Sequence, residues 1–215
     1  MDHHKILETV KADIMQAALA DIAFEGFTDA VVNKAAQSAG IEPAELALAF
    51  PRGGIDLAIY FVRYGIDLMQ AKLASLDIES MKIRERVKTA VQIRLEVDKD
   101  HKEIARRAFN MLALPVNTKD ASLCLVHTVD VMWRSTGDKS TDFNFYTKRA
   151  TLAAVYSATR LFWLNDDSTD AQDSWAFLDR RIDNVMQIEK GKAKFRELQE
   201  KLGNPLETLA KFRYR

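Results

Sequence analysis

Eight glycines and four prolines in 215 residues, nearly all between segments whose apolar residues recur every three or four positions, constrain this chain most. A series of short strands needs turn chemistry far more often than that, so the pattern predicts an all-α fold. Helices are expected at about 5–24, 29–38, 43–49, 54–76, 80–97, 100–113, 118–135, 142–163 and 169–188. The fourth presents Leu57, Phe61, Tyr64 and Leu68 as its stripe. The last repeats Ala171, Trp175, Leu178, Ile182 and Val185 as a narrow packing seam. Thr28 or Asp29 caps the second helix and Thr118 the seventh. Three units follow: a helix-turn-helix-like bundle at 1–52, a helical body at 53–190, and a basic tail at 191–215.

Several chemistries lack their residues. The single cysteine, Cys124, excludes an intramolecular disulfide and reads as a small buried hydrophobe. Asp98 and His101 have the spacing of half a metal site, but no second pair completes a coordination sphere. There is no Gly-x-Ser-x-Gly elbow and no phosphate-binding glycine loop. A binding protein is expected, with no catalytic residue, no metal and no cofactor. The most apolar helix, near 150–164, carries Arg160, so any membrane contact is expected to be peripheral. The N-terminal stretch MDHHKILETVKADIM lacks the pattern of a signal or transit peptide, so the expected location is the bacterial cytoplasm, peripheral to the inner membrane.

Charge is zero overall but unevenly spread. Residues 1–60 hold four cations and nine anions, whereas residues 188–215 hold eight cations and four anions. The motifs AFEGFTDA, AAQSAG and LALAF within 9–61 resemble the N-terminal domain of TetR-type regulators. DNA affinity draws on cations that displace phosphate counterions, yet the third helix opens with Glu42, Pro43, Ala44 and Glu45. Nucleic acid is therefore not the expected partner, and a ligand-responsive TetR-type transcriptional regulator stands as the second reading.

Two apolar constellations remain. Phe109, Met111, Leu112, Met132, Trp133, Tyr156, Phe162 and Trp163 could line a lipid-sized pocket, and a solid helical core would have the same composition. Near the C-terminus, Leu206, Leu209 and Phe212 form a short stripe interleaved with Lys211 and Arg213, suited to an anionic membrane surface or to a disordered basic tail.

Residues 129–186 resemble a particular family. Met132-Trp133, Gly137-Asp138, Ser140 to Asn144, Tyr146-Thr147, Arg149-Ala150, Trp175, Phe177-Leu178 and Arg181-Ile182 are similar to the pattern of the coenzyme Q biosynthesis accessory proteins, the Coq-nine family. AFPRGGIDLAIYF at 49–61 resembles another of its elements, with Gly54 where the family has Pro. Phe145 stands for a Trp and Lys148 for an Arg. The resemblance implies a TetR-like fold without DNA work. It implies binding of an isoprenoid quinone or other lipid in the helical pocket and its presentation to the di-iron demethoxyubiquinone hydroxylase. Met132, Asp142, Phe145 and Tyr146 are the implied partner-binding residues, and Leu206, Leu209, Lys211, Phe212 and Arg213 the implied membrane contact. A homodimer through the helices near 142–188 is a further expectation, which a monomer in light scattering at micromolar concentration would contradict.

Overall fold

The computed structural model describes residues 3–137 and 143–202. Among them are nine α-helices and no strand: α1 (His3–Glu25), α2 (Asp29–Ser38), α3 (Pro43–Ala49), α4 (Gly54–Ala74), α5 (Ile83–Glu96), α6 (Lys102–Leu112), α7 (Thr118–Ser135), α8 (Phe143–Leu164) and α9 (Gln172–Leu202).

The N-terminal helices end and restart where the sequence chemistry dictates. The Val31 N–H donates to the Thr28 hydroxyl at 3.2 Å, which caps α2. The acids of α3 are occupied at its own start, where the Glu42 N–H donates to the Glu45 carboxylate at 3.2 Å in a capping box. They stabilise the turn and offer nothing to a base edge. The entry to α4 needs both glycines of its Pro-Arg-Gly-Gly turn. Gly53 has φ +58°, and the Gly54 N–H donates to the Asp29 carboxylate at 2.9 Å. A Cβ on Gly54 would lie 2.1 Å from the Phe27 carbonyl oxygen, so a larger residue at 54 loses the close packing of α2 against α4.

α4 is the axis of the molecule and packs on α1, α2, α5, α6 and α7. Its buried face carries Leu57, Ala58, Phe61, Val62, Ile66, Met69 and Leu73. Tyr64, expected in the stripe, is 49% exposed, because the buried surface centres one residue position away and approaches α5 through Gly65. A single hydrophobic core continues from Val10 in α1 to Ile182 in α9, across the boundary expected at 52/53.

Three further expectations are corrected. Thr118 does not cap α7: it is the first helical residue, and its hydroxyl donates to the Pro115 carbonyl at 2.7 Å. α9 starts at Gln172 after a short 3-10 turn in which Asp170 and Ala171 have φ of +49° and +55°. It also does not stop before Gly191 but runs to Leu202, so the boundary expected at 190/191 falls inside a helix. One glycine costs a helix only about 1 kcal/mol, too little to end it among helix-forming neighbours.

The α8–α9 connection hangs on Asp166. This buried carboxylate accepts the N–H groups of Ser168 and Ser174, both at 2.8 Å, and the Ser174 hydroxyl. Burial works against its charge, but these donors prevail and hold its pKa at about 2. A carboxyl depressed in the folded state contributes stability above its ordinary value of 3.8 and loses it as pH falls towards 2. The unfolding free energy is therefore expected to fall by about 2 kcal/mol from this group between pH 4 and pH 2. Urea unfolding as a function of pH measures it. The same decline in Asp166→Asn as in the wild type would show that another group is responsible.

Candidate functional site

A predominantly apolar cleft of about 300 Å³ opens between α5, α7, α8 and α9. Val87, Leu152, Val155, Ile182 and Val185 form its walls, while half-exposed Ile83 and Met186 stand at its mouth. Its polar lining is Arg84, Thr147, Lys148 and Thr151. Two ion pairs hold the α5 and α9 walls together, Arg84 with Asp183 at 2.5 Å and Lys88 with Asp179 at 2.9 Å. The Asp183 carboxylate raises the Arg84 pKa, so that side chain stays charged beside the mouth. Trp133 lines the cleft with the Lys148 ammonium 5.7 Å from its ring centroid. Its indole N–H is buried and has no acceptor among the described residues. Such an N–H retains an unmet hydrogen bond of roughly 1–3 kcal/mol.

The residues expected to share one lipid pocket are distributed over several environments. Trp133 is in this cleft. Phe109, Leu112 and Tyr156 line a second cavity of about 150 Å³ between α4, α6, α7 and α8. Met111 is half-buried against the core and lines neither space, and Trp163 is buried with the Lys102 ammonium 5.3 Å from its ring. Phe162 lies towards the surface, stacked on Phe177 with centroids 4.6 Å apart. Adjacent positions on α8 point to different neighbours, which apolar composition does not reveal.

The partner-binding set also divides. Met132 is fully buried and cannot serve as a surface anchor in this conformation, because its face of α7 turns with Val129 into the core. Tyr146 is 70% exposed, and its ring meets Phe145 edge-on at 5.1 Å. The Arg149 guanidinium lies 3.5 Å from the Phe145 centroid and donates to Asp130 at 2.8 Å, fixing that aromatic pair on α8. Asp142, and the membrane-contact residues Leu206, Leu209, Lys211, Phe212 and Arg213, lie outside the described residues.

Asp98 faces away from any ligand pair with His101. Its carboxylate accepts from the Arg94 guanidinium at 2.7 Å, inside the core. Among the described residues no cluster of three His, Cys, Asp or Glu could hold a metal, and no helix is long and apolar enough to cross a membrane.

The COQ9 family model matches residues 118–189, which span α7, α8 and the first half of α9. The ubiquinone biosynthesis protein COQ9 of rat is 34% identical over 188 residues, covering 84% of this chain and 60% of that protein. Its human counterpart is also 34% identical, over 84% of this chain and 59% of that protein. The probable ubiquinone biosynthesis protein of Dictyostelium discoideum is 32% identical over 93% of this chain and 66% of its own length.

This chain belongs to the COQ9 family.

It spans about three fifths of the length of the rat and human COQ9 proteins. The names of these COQ9 relatives carry a biosynthetic role and no reaction. They overturn the expected bacterial cytoplasm, since each is a mitochondrial protein of a eukaryote. Among solved structures, a TetR transcriptional regulator from Nitrosomonas europaea superposes with a TM-score of 0.67 at 17% identity, over 82% of this chain and 98% of that one. At that identity the COQ9-family chain shares a fold with the regulator, and nothing more follows about DNA.

The wall residues Leu152, Val155, Ile182 and Val185 were not legible as a site, since their helical spacing is that of ordinary core. The unpaired Trp133 N–H was likewise hidden. The one sequence signal was the presence of Arg160 within the most apolar helix.

Proposed function

We propose that this COQ9-family chain is an accessory protein of ubiquinone biosynthesis that holds an isoprenoid quinone precursor in the α5/α7/α8/α9 cleft and presents it to the di-iron demethoxyubiquinone hydroxylase. The observation that carries the proposal is that the family-matched segment 118–189 itself supplies Trp133, Leu152, Val155, Ile182 and Val185, most of the apolar wall.

Energetics favour exchange over tight storage. An isoprenoid tail leaving a bilayer gains little from an apolar cleft, because lipid tails are as apolar as leucine. Discrimination then falls to the polar lining. Thr147, Lys148 and Thr151 lie on the same N-terminal half of α8 as the exposed Tyr146 and its neighbour Phe145. A quinone ring held there sits next to the aromatic pair that a partner would meet. The Trp133 N–H gives a ring oxygen a donor once the indole turns outward.

Purified protein is expected to carry an isoprenoid lipid in stoichiometric amount, measured by mass spectrometry of an organic extract. Protein that comes out empty and takes up no quinone precursor from vesicles would refute the proposal.

A further inference from the structure

The smaller cavity differs from the cleft in charge as well as size. It shares no lining residue with the cleft, and its walls include Val62, Phe109, Leu112 and Leu125. Arg160 lines this otherwise apolar space although it is only 9% exposed. Its guanidinium makes one long hydrogen bond, from Nη2 to the Ala105 carbonyl at 3.4 Å, and lies 5.5 Å from the Phe109 ring centroid. Among the described residues no carboxylate pairs with it. The core's other buried arginine, Arg94, has Asp98 at 2.7 Å.

A buried cation without a counter-charge is expensive, and an anion bound beside it removes that cost. Arginine's planar fork suits a carboxylate, which it can hold through two parallel bonds. Size narrows the class further, because a cavity of about 150 Å³ accommodates a single six-membered ring such as benzene. Tyr156 stands on the same wall. Burial pushes the Cys124 thiol up, so at neutral pH it adds no negative charge to the lining.

We propose that the cavity between α4, α6, α7 and α8 is a second ligand site, which takes a small aromatic carboxylate of the benzoate class with its ring on the apolar wall and its carboxylate on Arg160. The site is independent of the isoprenoid cleft.

Calorimetric titration of the full chain with benzoate and with neutral benzamide tests it. Benzoate is expected to bind one-to-one and at least about tenfold more tightly than benzamide, the size of one charged hydrogen bond. Arg160→Met keeps an unbranched apolar stem over Phe109 and is expected to lower benzoate affinity by about tenfold or more, with benzamide unchanged. Leu125→Trp, which fills the cavity, is expected to abolish both. Isoprenoid content should be unchanged in either variant, so failure here is distinct from failure of the cleft. Equal affinities for benzoate and benzamide, full benzoate affinity in Arg160→Met, or no saturable binding up to roughly 10 mM would each overturn the site.

Discussion

Asp98→Ala is expected to destabilise the protein by about 3–5 kcal/mol, because it leaves Arg94 charged and alone in the core. Arg94 is fully buried, and its hydrogen bonds are one to Asp98 at 2.7 Å and one to the Val62 carbonyl at 3.5 Å. Its Nε has no partner. Burial opposes the charged guanidinium, yet Asp98 more than offsets it and the pKa is raised, so loss of a proton offers no escape. Relaxation is also restricted, since Gly65 of α4 lies so close that a Cβ there would be 2.9 Å from Nη1. For a domain of this size the melting temperature should fall by roughly 10 °C or more. Urea unfolding measures the loss. Arg94→Met in the Asp98→Ala background should recover most of it, since an apolar side chain of similar length needs no counter-charge. A loss no larger than the roughly 0.5 kcal/mol of a surface substitution would mean that the pair is solvated rather than buried.

Thr151→Trp is expected to empty the α5/α7/α8/α9 cleft proposed to hold the isoprenoid. Thr151 is half-buried where α8 forms the cleft wall, so an indole there occupies much of the 300 Å³ without entering the central core. Retained isoprenoid should fall at least about tenfold, as befits the loss of one or two buried hydrocarbon groups. Stability should change by no more than about 1 kcal/mol, and benzoate affinity not at all. Unfolding and benzoate titration on the same preparation separate a blocked cleft from a misfolded protein.

Periodicity in the sequence was sufficient for the helices and for the all-α class. Caps such as Thr28, and breaks such as Gly26 and Pro51, delimit α1 to α3 closely, because turn chemistry acts over a few residues. Gly191 misled for the same reason: glycine weakens a helix locally by only about 1 kcal/mol, and α9 continues through it to Leu202. Core membership was legible in α9, where Leu178 and Ile182 are buried as their spacing requires. Cavities were not, since a void depends on which side chains fail to meet across helices distant in sequence. Thus Phe162 and Trp163, adjacent on α8, end on Phe177 and near Lys102, while Val155 and Tyr156 line different spaces. Met132 was placed by resemblance on a partner surface and by its apolar neighbours in a pocket or core, and the structure turns it inward.

The most direct test is the quinone profile of cells that lack this protein and are complemented with either the wild-type chain or Thr151→Trp. The isoprenoid-presenting role predicts that wild type restores ubiquinone, whereas the folded Thr151→Trp chain leaves a demethoxy precursor accumulated. Ubiquinone restored equally by both, with the cleft shown to be blocked, would contradict it.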